Sequence, residues 1–238
     1  MTETQAAVVY EGRDLEAMSF ARNYHRWIVD EIATYLGRAV AEVGAGSGSL
    51  SELLLGERIE RLVAVEPSAE MYPLLARRLA GEARAETHHG LFAEVAPRLE
   101  GTLDSAVYVN VLEHVEDDLG ELRLVHRALR PGGHVVVFVP ALQWLYSDFD
   151  ASIGHHRRYH REPLGNLLRN AGFQVERLHY FDAAGILPWL VFFRLMRRRL
   201  GAGDVGAYDR VAVPLVRAVE TRVRPPLGKN LLAIGRKA

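Results

Sequence analysis

Val40-Ala41-Glu42-Val43-Gly44-Ala45-Gly46-Ser47-Gly48 decides how this chain folds. A short β-rich run over residues 38–43 leads straight into three glycines within five positions. Glycine lets a strand turn sharply into a helix and lets a ligand approach the backbone closely. Residues 49–55 read as the helix that follows, whose start would offer free N–H groups. A second short strand, residues 61–65, ends at Glu66, 22 positions after Gly44. A carboxylate there can accept both hydroxyls of a ribose. Loop and acid together point to an adenosine-containing ligand at the carboxyl ends of parallel strands.

The rest of the chain continues this alternation. Residues 13–36 show apolar side chains at steps of mostly three and four, from Phe20 to Leu36, and Gly37 is a helix stop. Ser68 is placed to cap a helix running to Leu79, with Pro73 in its early turns. A weaker strand over 83–88, a strand over 103–110 and a helix over 116–129 follow. Pro131-Gly132-Gly133 reads as a turn before a β-branched strand at 134–139. Strands that are apolar throughout and alternate with helices predict a parallel sheet covered on both faces. After Pro140 the rhythm changes to a polar and aromatic loop over 141–160, then a helix at 161–171 and a strand at 173–180. An apolar segment at 183–193, a glycine-rich break at 201–206, a helix over 208–223 and a last strand at 231–234 complete the chain.

Composition narrows the function classes. The 238 residues contain no cysteine, which excludes disulfides, thiolate metal sites and a cysteine nucleophile. The net charge of −1 argues against a dedicated nucleic-acid binder. Of 29 basic residues only Lys229 and Lys237 are lysines, an arginine excess that base composition explains as readily as ligand recognition. The first residues carry acids and no long apolar core, so no secretory signal is expected and the location is expected to be cytoplasmic. The apolar segment 183–193 holds Pro188 and is far shorter than the ~20 residues that span a bilayer. With Arg197, Arg198 and Arg199 behind it, it could lie at a membrane surface or bind a lipid-linked substrate, but packing on the core or at a homodimer interface is the favoured reading.

Two nucleotide motifs are excluded at the glycine loop. A dinucleotide fingerprint, G-x-G-x-x-G, fails because Ser49 stands at the third position. A phosphate loop fails because no lysine follows. Instead, Glu42-Val43-Gly44-Ala45-Gly46-Ser47-Gly48, Val65-Glu66-Pro67-Ser68, Asn110-Val111-Leu112-Glu113-His114-Val115 and Leu129-Arg130-Pro131-Gly132-Gly133 resemble, in order and spacing, the class I S-adenosylmethionine-dependent methyltransferases. Asn23-Tyr24-His25-Arg26-Trp27, Leu145-Tyr146-Ser147 and Gly154-His155-His156-Arg157-Arg158-Tyr159 are similar to a bacterial small-molecule subgroup of that family. The resemblance implies a Rossmann-like, doubly wound α/β fold. It would have a mostly parallel seven-stranded sheet, helices on both faces, an N-terminal helix and a C-terminal helical insertion. It implies one domain over 1–238, with 38–140 holding the donor and 141–226 adding to the substrate side.

Carried over by residue, the resemblance gives Gly44, Ala45, Gly46 and Gly48 to the methionine part and ribose, with Glu42 in the same motif. Glu66 would bind the ribose hydroxyls. Pro67 and Met71 would lie near adenine, and Asn110 and Val111 beside the methionine end. The family often has an acid after the third strand. Here that region reads His88-His89-Gly90-Leu91-Phe92 with no acid before Glu94, so Leu91 and Phe92 contacts are expected to hold adenine instead. Transfer from a sulfonium is an in-line displacement, with a base needed only if the acceptor must lose a proton. His114 is the first candidate for that base, by its place after the fourth strand, with His155 and Tyr159 the others. Tyr24, His156, Arg157 and Arg158 are candidates for the acceptor, the arginines for an anionic group. Adjacent histidines rarely face one ion, so no metal is expected at His155, His156 and His160. The expected reaction is methyl transfer to a small-molecule O- or N-nucleophile. A nicotinamide-dependent oxidoreductase and a non-catalytic S-adenosylmethionine-binding protein are the alternatives.

Overall fold

Among the described residues seven strands build one sheet: β1 (Ala39–Val43), β2 (Arg61–Glu66), β3 (Ala85–His89), β4 (Leu103–Val109), β5 (Leu129–Pro140), β6 (Phe173–Phe181) and β7 (Asn230–Lys237). The computed structural model describes residues 21–195 and 202–238. The helical reading of 13–20, the arginines 197–199 and Gly201 lie outside the described residues. The strand order is β3-β2-β1-β4-β5-β7-β6. β1 to β5 run parallel, and β7 is antiparallel to both β5 and β6. This is the Rossmann-like, mostly parallel seven-stranded sheet that the motif order predicts.

The pleat sends alternate residues to two cores. Ala41, Val63, Ala106, Val137 and Ala233 face one side, where Leu122, Val125, Leu164 and Leu168 cover them. These four come from the helices Asp118–Ala128 and Arg161–Asn170. Val40, Leu62, Val107, Phe138 and Leu232 face the other side. There they meet α1 (Arg22–Ile32) and α2 (Ser49–Leu55) through Trp27, Ile28, Ile32, Leu53 and Leu54. Each such side chain, taken out of water, contributes about 1.5–3 kcal/mol. Trp27 lies 3.8 Å from the Phe181 ring centroid, and Tyr24 meets Trp27, Phe138 and Phe181 edge-on. This aromatic cluster fixes α1 over the sheet and aims Tyr24 towards the strand ends.

Three local expectations change. Pro131-Gly132-Gly133 is a bulge inside β5 rather than a turn before it. The step from Leu103 to Ser105 on β4 meets the step from Leu129 to His134 on β5, and Gly132 takes a positive φ of 81° to absorb the excess. The helix expected from Ser68 begins later, at Tyr72 (Tyr72–Arg78), with the Ser68 hydroxyl accepting from the Glu70 and Met71 N–H groups ahead of it. The 141–160 region is not structureless, since it holds a short helix, Asp148–Ser152. Ser147 accepts at its start and Asp150 accepts from the Ser147 N–H, a capping box.

Candidate functional site

A cleft of about 1460 Å³ opens along the carboxyl ends of β1, β2 and β4, where the strand order reverses. The glycine loop forms one wall. Gly44 has φ +70, and a Cβ there would lie 2.4 Å from a Val111 methyl, so only glycine lets the two strand exits close up. Four of the loop's N–H groups are committed to the protein. Gly44 and Ala45 donate to the Val65 carbonyl at 2.8 and 3.0 Å, and Gly48 to the Ala45 carbonyl at 2.9 Å. Gly46 donates to Glu66 Oε2 at 2.7 Å. The loop therefore presents close backbone surface and an oriented acid to the cleft.

Glu66 ends β2, is 5% exposed, and lines the cleft. Its other oxygen accepts the Ser68 N–H at 2.8 Å. Burial raises its pKa, opposed by the two backbone bonds. Each carboxylate oxygen keeps a second lone pair, so the fixed carboxylate can accept two adjacent hydroxyls. A ribose-bearing donor fits this arrangement. Glu42 lines the same wall, bonded by the Ser51 hydroxyl, and burial pushes its carboxyl up to about 8. Asn110 leaves β4 with φ +54, its N–H bonded to the Phe138 carbonyl at 2.8 Å. Asparagine tolerates that left-handed geometry, which turns the chain into the cleft.

Pro67, Met71, Leu91 and Val111 also border the cleft. Phe92 borders it from the core, only 2% exposed, and Gly48 packs towards Leu75 and Arg78 instead. Glu94 reaches the cleft too, but its carboxylate accepts the Leu91 N–H at 2.9 Å and pairs with His88, which leaves Leu91 open beside it.

The opposite wall comes from the segment after β4 and from the loop 141–160. His114, His155 and His156 border the cleft. The rings of His114 and His155 meet edge-on, with centroids 4.5 Å apart. Burial and the neighbouring His155 lower the His114 pKa to about 3, so His114 is neutral at any ordinary pH. His155 Nδ1 lies 2.9 Å from Asp150 Oδ1. The structure spends the other loop residues on clamping. Arg157 donates to Asp118 at 2.8 Å and to the Glu116 carbonyl at 2.9 Å. The Tyr159 hydroxyl lies 2.9 Å from Asp118 and 3.1 Å from the Leu112 carbonyl. Arg158 is buried on Asp150, and its guanidinium sits 4.4 Å over the Trp189 ring. These contacts tie the loop onto the exact segment that carries His114, and they direct Arg157 and Tyr159 away from the cleft rather than into it.

Tyr24 is a buried wall residue, 5% exposed, rather than a loose lid. Its hydroxyl donates to Asp182 at 3.2 Å and accepts from Asn230 at 2.6 Å. Tyr24→Phe strands the buried Asn230 amide and removes one donor from Asp182, which keeps Tyr208, Gly185 and Lys229. We expect a loss of about 1–3 kcal/mol and a Tm lower by roughly 2–10 °C, read by thermal melting.

Sequence reading passed over several residues that the fold brings here. Glu113 is fully buried beside His114 and lines the cleft. Asp150 orients His155, and the Ser147-to-Asp150 capping spacing was a signal for it. Trp189 and Lys229 come from the apolar segment and from the chain just ahead of β7. Among the described residues no helix is long and apolar enough to cross a membrane. The apolar segment folds instead as a short helix, Ile186–Trp189, and the π-helix Leu190–Leu195 that follows it, with Pro188, Trp189 and Phe192 on the cleft wall.

The comparisons with known proteins agree with this geometry. A probable S-adenosylmethionine-dependent methyltransferase of Mycolicibacterium smegmatis is 30% identical over 153 residues, covering 63% of this chain and 58% of its own. A ubiquinone biosynthesis O-methyltransferase of Xanthomonas oryzae pv. oryzae is 29% identical over 182 residues, covering 68% of this chain and 72% of its own. The chain spans little more than half the length of the first curated relatives it matches, 54% and 58%. The fold matches the crystal structure of a SAM-dependent methyltransferase from Archaeoglobus fulgidus with a TM-score of 0.61, at 17% identity, over 91% of this chain and 94% of that one. A methyltransferase-domain family model matches residues 13–178, well over half of the 238. Three of the four motifs read from the sequence border one strand-edge cleft, the fourth being the bulge at the start of β5, and the chain belongs to the class I S-adenosylmethionine-dependent methyltransferases.

Proposed function

We propose that this chain transfers a methyl group from S-adenosylmethionine to an oxygen or nitrogen nucleophile of a small molecule. The observation that carries the reading is one continuous cleft. Glu66 and the glycine loop line it for the donor, and the aromatic side chains of Phe149, Trp189 and Phe192 line the same cleft. The O-methyltransferase relative supports the reaction class. The donor supplies an already activated sulfonium methyl, so alignment provides most of the catalysis, up to about 7–11 kcal/mol.

The chain's residues then have these roles. Glu66 fixes the ribose, Gly44 and Gly46 bring backbone against the donor, and Asn110 and Val111 flank its reactive end. Pro67, Met71 and Leu91 surround the adenine, with Glu94 spent on the loop. His114 and His155 face the acceptor. A neutral His114 is competent to accept a proton, but its depressed pKa makes it a weak base. His155, held by Asp150 through Nδ1, keeps Nε2 as the alternative proton acceptor when no ion occupies that nitrogen. The segment 38–140 serves the donor and 141–226 shapes the acceptor within one domain.

Calorimetry on the whole chain should show S-adenosylhomocysteine binding, with NADH not competing. Methyl transfer should follow when phenolic or amine acceptors are screened with labelled donor. Binding of NADH in place of S-adenosylhomocysteine would overturn the reading.

A further inference from the structure

Glu113, His114 and His155 converge where the loop 141–160 is clamped against the segment after β4. We propose that they form a site for one divalent transition-metal ion, open to the acceptor end of the cleft. One ligand atom from each lies within 4.8 Å of the others, and all three residues border the cleft. The proposal goes beyond methyl transfer from the sulfonium, which requires no metal.

Three observations carry it. Glu113 is fully buried, and neither of its carboxylate oxygens has a hydrogen-bond partner among the described residues. A buried carboxylate without a partner is strongly disfavoured, and a cation removes the penalty. Second, both imidazoles are held from behind, as metal-binding histidines usually are. His155 Nδ1 is bonded to Asp150, and the His114 ring is bonded to the Gly154 backbone. Third, this leaves His155 Nε2 facing Glu113 Oε1 at 3.7 Å. That is too long for a hydrogen bond. It suits two ligands of one ion, which sit about 3–4 Å apart when each is about 2.1 Å from the metal.

The donor set defines the ion. Two imidazoles and one carboxylate suit zinc, manganese, iron(II) or cobalt(II), whereas magnesium and calcium take oxygen shells. Arg158, the cation beside the cluster, is bonded to Asp150 rather than to Glu113. Three protein ligands leave positions for an oxygen of the acceptor, which the metal would orient and acidify. The set is not the run of neighbouring histidines. His156 contributes only its backbone N–H, to the Glu113 carbonyl at 2.8 Å, and His160 lies by Gln143.

The test uses the full chain, stripped with a chelator and titrated with cobalt(II) chloride. Visible absorption and calorimetry should show one ion per chain, displaced by zinc and not by magnesium at equal concentration. Glu113→Gln and His155→Asn should each weaken cobalt binding at least 10-fold, with circular dichroism confirming that they fold. Glu113→Gln is the safer variant, because a neutral amide replaces an unbonded acid. No cobalt binding by the parent chain, or unchanged binding in both variants, would overturn the site. S-adenosylhomocysteine affinity of the same metal-free sample reports the donor end separately, so failure at one end is distinct from failure at the other.

Discussion

Glu66→Ala should weaken S-adenosylhomocysteine binding by at least about 100-fold in calorimetry. A hydrogen bond to a charged group contributes about 1.5–3 kcal/mol net, and the carboxylate is placed to make two, one to each ribose hydroxyl. Their loss is about 3 kcal/mol or more, and 1.4 kcal/mol is tenfold. The substitution also releases the Gly46 and Ser68 N–H groups, which Glu66 now holds at 2.7 and 2.8 Å. Glu66→Gln should fall in between, because the amide keeps one acceptor and sets an NH₂ against a backbone donor. Binding should also be lost on acidification. Burial raises the Glu66 pKa, so protonation removes the acceptor at a higher pH than for an exposed glutamate. An affinity unchanged in Glu66→Ala would remove the ribose role from this acid.

The donor end was legible because its determinants are local. A strand, a glycine turn and an acid at the next strand end are each set by neighbours in sequence, and β1, β2 and β4 appear within a residue or so of their expected ranges. The acceptor end was less legible because its contacts are long-range. Nothing near Arg157 in sequence announces Asp118, with which it pairs at 2.8 Å, and nothing near Arg158 announces the Trp189 ring 4.4 Å from its guanidinium. Glu113 was passed over for a different reason. Carboxylates are rarely fully buried, so its place between Leu112 and His114 reads as an exposed turn residue until the loop 141–160 covers it. The clamp also changes what the arginine excess means. Of the two arginines expected at an anionic acceptor, Arg157 pairs with Asp118 outside the cleft lining, and Arg158 borders the cleft while paired with Asp150.

That assignment separates two outcomes for Arg158→Met. A guanidinium that gripped the acceptor would, when removed, raise KM and leave stability unchanged. The structure predicts the reverse order of effects. The Arg158 side chain is 1% exposed and Asp150 is not exposed at all. Its Nε and Nη2 contact Asp150 Oδ1 at 3.0 and 2.8 Å, and Nη1 donates to the Ala141 carbonyl at 3.2 Å. Removing one member of a buried pair leaves an uncompensated charge and costs about 3–5 kcal/mol. For a chain of this size that is a Tm lower by roughly 6–20 °C in a thermal melt. Asp150→Asn combined with Arg158→Met should recover much of the loss, since no charge is then stranded. The recovery should be incomplete, because Asp150 also accepts from the Ser147 N–H and hydroxyl at 2.8 Å and holds His155. A full-stability Arg158→Met with a raised KM would return this arginine to the acceptor.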